Sequence, residues 1–223
     1  MIRHIHVDAC DSTQDLIKEQ TGDRTDVILV STNKQLKGRG RGTNSWQEIP
    51  GTLCFSLTVE PHRVLSFTAL EISLLISRFF EYEGCKLGLK WPNDLWDSKQ
   101  KKCGGVLIQG SGEKLYAGIG LNLFSTHPDF GGVYRETFEF DKESWSLRIA
   151  EYIIAHRYKD TDALRNDWEI RCPHMGSQVT ISEGTERNEG IFLGLGDSGE
   201  ARLHTVDGIK SFYNGSLRIT AID

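Results

Sequence analysis

The sequence predicts an α+β chain that closes with a small all-β module, and three observations carry that expectation. Strand-like and helix-like patterns alternate irregularly as far as Pro173. One long apolar helix, residues 66–82, stands out among them. After Pro173 helical periodicity stops, and short alternating segments recur between turn signals. The expected division is therefore residues 1–173 as one domain and 174–223 as a second.

The first element expected is a strand: residues 2–7 alternate apolar and polar. Ser12-Thr13-Gln14-Asp15 then opens a short helix in capping-box style, with Gly22 as its stop. Val27-Ile28-Leu29-Val30 is continuous and apolar, as a buried strand would be, and 53–59 is another. In helix 66–82, Phe67, Leu70, Leu74, Leu75 and Phe79 share a face, and Gly84 is placed to end it. Residues 87–91 lead into a Pro92-Asn93-Asp94 turn. Segments 105–109 and 114–121 form a strand pair around Gly110-Ser111-Gly112. The stretch 125–139 has little periodicity and suits a mobile loop. Helices follow near 145–157 and 161–170. Beyond Pro173, about five short strands form a barrel-like meander, with Asp207-Gly208 as a hairpin turn. Some fifty residues are marginal alone, so the meander should pack on the main domain.

Composition narrows the function. The chain has 223 residues, 38% hydrophobic and 26% charged, as for a globular protein with a sizeable core. A net charge of -5 argues against a general nucleic-acid binder, which needs a broad basic face. No apolar run reaches membrane-spanning length, and the first residues carry no signal-peptide core. The 5 cysteines include no C-x-x-C spacing, which suits reduced thiols in the cytoplasm.

Against that acidic background, residues 34–46 hold four cations and no anion. Gly38-Arg39-Gly40-Arg41-Gly42 mixes residues that permit close backbone approach with planar cationic forks, and Trp46 adds a stacking face. On its own, a solvated turn and an anion-binding loop weigh about equally. Lys90-Trp91-Pro92-Asn93-Asp94 presents polar groups at a turn tip, although an ordinary turn explains it as well. Lys101-Lys102 precedes Gly104-Gly105 at a strand start, where an ammonium can stand beside a ligand. Gly118-Ile119-Gly120 leaves one strand face bare, fit for a flat ring or another backbone. The G-x-G-x-x-G at Gly194, Gly196 and Gly199 is no dinucleotide site, because strand-like residues follow it and no helix. His4 and His6 have no third metal ligand at a useful spacing.

In order along the chain, these segments resemble the biotin protein ligases. The matching residues are Asp11-Ser12-Thr13-Gln14, Gln35, Gly38-Arg39-Gly40-Arg41 with Trp46, Lys90 to Asp94, Lys102-x-x-Gly105-Val106-Leu107, and Gly118 to Asn122. The resemblance runs through essentially the whole chain. It implies a class II synthetase-like catalytic domain, with a mixed sheet and flanking helices, followed by an SH3-like barrel. It also implies ATP-dependent biotinylation of a lysine through biotinyl-5′-AMP, with Mg²⁺ accompanying ATP. The partner implied is the apo form of a biotin carboxyl carrier protein, with no nucleic acid and no membrane. The enzyme would be a monomer or a homodimer, without a DNA-binding domain ahead of residue 1.

The resemblance also assigns roles. Lys102, Arg39 and Arg41 would be catalytic, clamping the biotin carboxylate and the α-phosphate. Ser12, Thr13, Gln14, Gln35, Gly38, Arg39, Gly105, Gly118 and Gly120 would form the biotin site. Arg41, Trp46, Lys90, Asn93 and Asn122 would meet ATP, and Asp94 would hold the metal. Lys101-x-x-Gly104 fits the lysine motif one residue earlier, and Lys102 is preferred because Gly105 restores the glycine–aliphatic strand. Two other functions fit parts of the pattern: lipoate or octanoate transfer on the same superfold, and a non-catalytic nucleotide- or RNA-binding module.

Overall fold

The structure is a computed structural model that describes residues 1–20, 27–111 and 114–219. Gly22 and Gly112, expected at a helix end and a turn, lie outside the described residues, as do residues 220–223. The main sheet has seven strands: β1 (Ile2–Cys10), β2 (Val27–Gln35), β5 (Thr52–Val59), β6 (Gly88–Lys90), β7 (Asp94–Trp96), β8 (Lys102–Ser111) and β9 (Lys114–Asn122). Their order is β1-β2-β5-β9-β8-β7-β6. The β1–β2 pair is parallel, and the other neighbours run antiparallel. Two two-residue strands, β3 (Gly38–Arg39) and β4 (Ser45–Trp46), make a separate hairpin.

The two faces of this sheet differ because the strands alternate. On β5, Leu53, Phe55, Leu57 and Val59 join the main core. Cys54, Ser56 and Thr58 fall on the opposite face by the two-residue period. Helices α2 (Phe67–Tyr82) and α3 (Lys142–Ala155) cover the apolar face. Helix α1 (Thr13–Gln20) covers the other, where Ile17 packs with Ile28 and Val30. That second face is only partly roofed, and the cavity described below opens there.

Helix α2 buries Phe67, Leu70, Ile72, Leu74, Leu75, Ile76, Phe79 and Phe80. It is apolar nearly all round because the sheet, α3, α4 (Thr161–Ile170) and the C-terminal module all pack on it. It ends at Glu83, with Gly84 at φ +83, as the sequence suggests. Helix α3 begins three residues before the expected 145. Asp141 caps it, its side chain accepting from Ser144 N at 3.0 Å. Asp160 caps α4 in the same way, accepting from Asp162 N at 2.8 Å and Ala163 N at 3.0 Å.

The 125–139 stretch has no regular element, yet it is anchored. Val133 N donates to Asn122 O at 2.9 Å, and Tyr134 N to Leu123 O at 2.7 Å. Phe138 packs against Phe124, Tyr134, Phe140 and Trp145 with ring centroids 5.1 to 6.4 Å apart. Aromatic packing substitutes here for helical or strand hydrogen bonding and ties the stretch to the main domain.

The C-terminal module is five antiparallel strands: β10 (Gln178–Glu183), β11 (Glu186–Leu195), β12 (Ala201–Thr205), β13 (Gly208–Phe212) and β14 (Ser216–Ile219), ordered β13-β12-β11-β10-β14. The glycines at 194, 196 and 199 form the bulge and turn between β11 and β12. The module shares its core with the main sheet: Val179, Ile181, Phe192 and Leu203 belong to the same buried cluster as α2. Trp91, 1% exposed, donates its Nε1–H to Gly199 O at 3.1 Å, and Glu169 accepts from Leu195 N at 2.7 Å.

His174 stands at this junction. It is 1% exposed, its ring lies 6.3 Å from Trp96 and 5.2 Å from Phe192, and neither nitrogen has a hydrogen-bond partner among the described residues. Burial, aided by the charge of Lys90, pushes its pKa down to about 4. The folded protein therefore holds it neutral, whereas the unfolded chain binds a proton below the ordinary value of 6.5. Stability from this group is intact above that value and is lost as the pH falls toward 4, reaching about 3 kcal/mol at the lower end. Urea denaturation from pH 7 to 4 should show this slope in the wild type and a shallower one in His174→Phe. Equal slopes would refute the assignment.

Candidate functional site

The cavity on the α1 face measures about 200 Å³ and is walled by segments from along the whole chain. Ser12, Thr13 and Gln14 come from the start of α1, Gln35 from the end of β2, and Arg39, Arg41 and Trp46 from the β3–β4 hairpin. Lys90, Asn93 and Asp94 come from the β6–β7 turn, and Lys102, Gly105, Gly118 and Gly120 from β8 and β9. Ser216 and Leu217 of β14 complete the rim.

One end is neutral and hydrogen-bonding. Gln35 Oε1 accepts from Thr13 N at 2.9 Å and from Thr13 Oγ1 at 3.2 Å. Ser56 Oγ donates to Thr13 Oγ1 at 2.9 Å. Ser12 Oγ accepts from Gln14 N at 3.3 Å, consistent with a capping role. Because Gln35 spends its oxygen on the helix start, its amide hydrogens remain for other acceptors. The Gln14 amide donates to Leu107 O at 2.9 Å and Tyr116 O at 3.3 Å, so it is clamped across β8 and β9.

The other end is cationic. Arg39, Arg41, Lys90 and Lys102 line the cavity with Asp94 as the lining carboxylate. Burial pushes the Arg41 and Lys90 pKa values down, while Asp94 opposes both shifts. Desolvated cations in excess of anions are a cost that a bound anion would relieve. Arg41 donates from Nη2 to Gly215 O at 2.6 Å. Arg39 meets Asp15 at 2.7 Å in a largely solvated pair, which contributes little and leaves the arginine available.

Several expected site residues stand elsewhere or do something else. Gly38 does not line the cavity. A Cβ there would lie 2.5 Å from Trp46 O, so the glycine serves the close β3–β4 approach. Asn122 is 2% exposed, accepting from Thr52 Oγ1 at 2.8 Å and donating to Gly131 O at 3.3 Å, and it too lies outside the cavity lining. Asn93 lines the cavity but donates its amide to Val106 O. Gly118 is covered by the Gln14 amide and Gly120 by the Trp46 indole, so neither leaves open floor. Trp46, expected at ATP, lies on Gly120 with Lys102 Nζ 5.8 Å from its ring centre. Lys102 faces the cavity, whereas Lys101 Nζ donates to Pro128 O outside it. Asp94, expected at a metal, has ammonium groups as neighbours: Lys102 Nζ at 2.6 Å and Lys90 Nζ at 3.4 Å. No cluster of three metal-ligating side chains occurs among the described residues. The donor set does not fit a protein-held Mg²⁺, which needs several oxygens.

Sequence reasoning missed Cys54, Asn44, Ser216 and Leu217, all in the lining. The polar face of β5 was a usable signal for Cys54. Nothing local marks Ser216 or Leu217, which arrive through packing of the C-terminal module.

A neutral polar cluster and a cationic cluster share one cavity, on a mixed sheet with a C-terminal β-module, an arrangement suited to a polar ligand that carries negative charge. Comparison with known proteins narrows the class. Residues 7–123 match the Biotin/lipoate A/B protein ligase family. The chain is 26% identical over 209 residues to the biotin–protein ligase of Homo sapiens, across 81% of this chain and 29% of that protein. It is 25% identical over 239 residues to the bifunctional ligase/repressor BirA of Bacillus subtilis (strain 168), across 96% of this chain and 73% of that one. Among solved structures, it superposes on a biotin protein ligase from Aquifex aeolicus in complex with biotin and ATP with a TM-score of 0.79 and 27% identity, covering 97% of this chain and 99% of that one. The chain belongs to the biotin/lipoate A/B protein ligase family.

The indole on Gly120 supports a prediction. A methyl at that position would stand 2.5 Å from Trp46 Cε2. Gly120→Ala should therefore push the ring off the strand and cost about 1–3 kcal/mol. The tryptophan emission spectrum, referenced to Trp46→Phe, should shift to the red. An unchanged spectrum and stability would mean that the ring does not rest there.

Proposed function

We propose that this cavity joins biotin to a lysine of a carrier protein in two steps. In the first, a biotin carboxylate oxygen attacks the α-phosphorus of ATP. The bond to the β-phosphate oxygen breaks, leaving biotinyl-5′-AMP and pyrophosphate. In the second, the uncharged ε-amine of the carrier lysine attacks the acyl carbon. AMP departs with the acyl–oxygen bond electrons, and the amine loses a proton to form the amide.

The observation that carries this reading is the polarity of the cavity. Two anions must meet in the first step, and Lys102, Lys90 and Arg41 concentrate positive charge at one end, where pre-aligned cations lower the barrier. Ser12, Thr13 and Gln35 offer donors and acceptors at the other end, suited to a ureido ring. A lipoyl dithiolane has no hydrogen-bonding groups to answer them. Arg39 and Arg41, on the β3–β4 hairpin that stands apart from the main sheet, are suited to closing over the adenylate. Mg²⁺ enters bound to ATP in this reading, and no step depends on a protein ligand to it. We assign the chemistry to residues 1–173 and assign residues 174–223 a wall of the site, through Gly215, Ser216 and Leu217. The protein operates without DNA, as a monomer or a homodimer.

Biotin-dependent exchange of pyrophosphate into ATP tests the reading, with lipoate as the parallel acid. Exchange with biotin and not lipoate supports it. Exchange with lipoate alone moves the site to lipoyl transfer, and exchange with neither, in a folded sample, refutes adenylation.

A further inference from the structure

Asp94 is the only carboxylate that the cavity lining contains among the described residues. It begins β7 immediately after the Trp91-Pro92-Asn93 turn and is laddered on both sides, opposite Lys90 of β6 and Gly105 of β8. Its backbone is therefore held by two neighbours, and its side chain is 14% exposed. One oxygen stands 2.6 Å from Lys102 Nζ, the other 3.4 Å from Lys90 Nζ. Gly105 gives this pair its floor. A Cβ there would meet Lys102 Cε at 3.5 Å and both Asp94 Oδ1 and Lys102 Nζ at 3.6 Å. Lys90, in turn, lies 4.8 Å from the Trp96 ring centre, fixed between an aromatic face and the carboxylate.

Lys102 is a long, flexible side chain, 42% exposed, with no other ion-pair partner among the described residues. Left alone it would sample many rotamers, and catalysis by a positioned charge loses its advantage when the charge wanders. Lys90 is desolvated and feels the neighbouring Lys102 ammonium, and Asp94 offsets both costs for it. A dication would be repelled by the same two ammonium groups, and both oxygens of the carboxylate are already committed.

Building on the adenylation reading above, we propose that Asp94 is the positioning residue of the cation cluster: it holds Lys102 and Lys90 side by side where the two reacting anions meet, and it is not a Mg²⁺ ligand. The isosteric variant Asp94→Asn keeps the shape and removes the charge. In biotin-dependent pyrophosphate exchange, its kcat should fall by about 30–100-fold, with the KM for ATP changed by less than about threefold. The half-saturating Mg²⁺ concentration should stay where it is in the wild type.

A second readout needs no substrate. Trace acetylation of the folded proteins with acetic anhydride, mapped by mass spectrometry, should label Lys102 at least about fivefold faster in Asp94→Asn than in the wild type, relative to Lys34 in the same sample. Equal labelling would overturn the pairing, and a kcat near that of the wild type would overturn the positioning role. A tenfold rise in half-saturating Mg²⁺, or recovery by Mn²⁺, would return Asp94 to the metal. If the wild type itself shows no exchange, the adenylation reading fails, and the labelling result still decides whether Asp94 holds Lys102.

Discussion

Replacing Lys102 by alanine should remove about 2–4 kcal/mol of transition-state stabilisation, on the order of hundreds-fold in adenylation rate. The ammonium faces the cavity, 2.6 Å from Asp94 and 5.8 Å from the centre of the Trp46 ring. It is well placed to bridge two anions in the site. The fold should survive the change: Lys102 is 42% exposed, and Asp94 keeps Lys90 at 3.4 Å as a partner. No buried charge is orphaned. Lys101 is the matched control, because its ammonium donates to Pro128 O outside the cavity. Lys101→Ala should change the rate by less than about twofold, as a surface substitution usually does. Pyrophosphate release in a single-turnover assay reads both variants. Near-normal release by Lys102→Ala, or a large loss confined to Lys101→Ala, would show that the assignment is wrong.

The largest expected effect on stability lies away from the cavity. Glu71 sits in the middle of apolar α2, is 0% exposed, and has its carboxylate closed by two donors. Arg157 Nη2 approaches at 2.7 Å and Tyr158 N at 2.6 Å, and Arg157 Nη1 also donates to Glu60 O at 3.0 Å. Removing the guanidinium in Arg157→Ala leaves a buried carboxylate with one backbone donor. Breaking such a pair costs about 3–5 kcal/mol. Arg148–Glu83, half exposed at 2.7 Å, is the surface comparison, and its loss should cost under about 1 kcal/mol. Urea unfolding curves would measure both. A loss below 1 kcal/mol for Arg157→Ala would mean that water reaches Glu71. Replacing both partners with Glu71→Leu/Arg157→Met should recover much of the loss, since no desolvated charge then remains.

The elements most legible in the sequence are those with a long one-dimensional pattern. The apolar face of helix 66–82 and the strand-like run 53–59 each extend over several residues, and both appear within a residue of where they are expected. The C-terminal meander was legible for the same reason, helped by Asp207-Gly208, where the chain turns from β12 into β13. Elements of two or three residues were not. β3, β4 and β7 are too short to show a period, and each exists because a partner strand pairs with it. The start of α3 was misjudged because Asp141 caps it four residues before Trp145, the first large apolar residue of that helix.

The site divides along similar lines. Residue types and their order along the chain were enough to bring Ser12, Thr13, Gln35, Arg39, Arg41, Lys90, Asp94 and Lys102 into consideration, and all of them line one cavity. What each touches was not readable. Asp94 faces two lysines because β6, β7 and β8 are laddered together. Trp46 rests on Gly120 because a two-residue hairpin turns it over β9. Gly215 receives Arg41 from 174 residues away. By itself the sequence determined the class of chain, the long elements and the inventory of chemical groups, since periodicity, turn chemistry and side-chain type are local. Only the tertiary structure decided the neighbours, because a carboxylate becomes a metal ligand or an anchor for two ammonium groups according to which strands fold beside it.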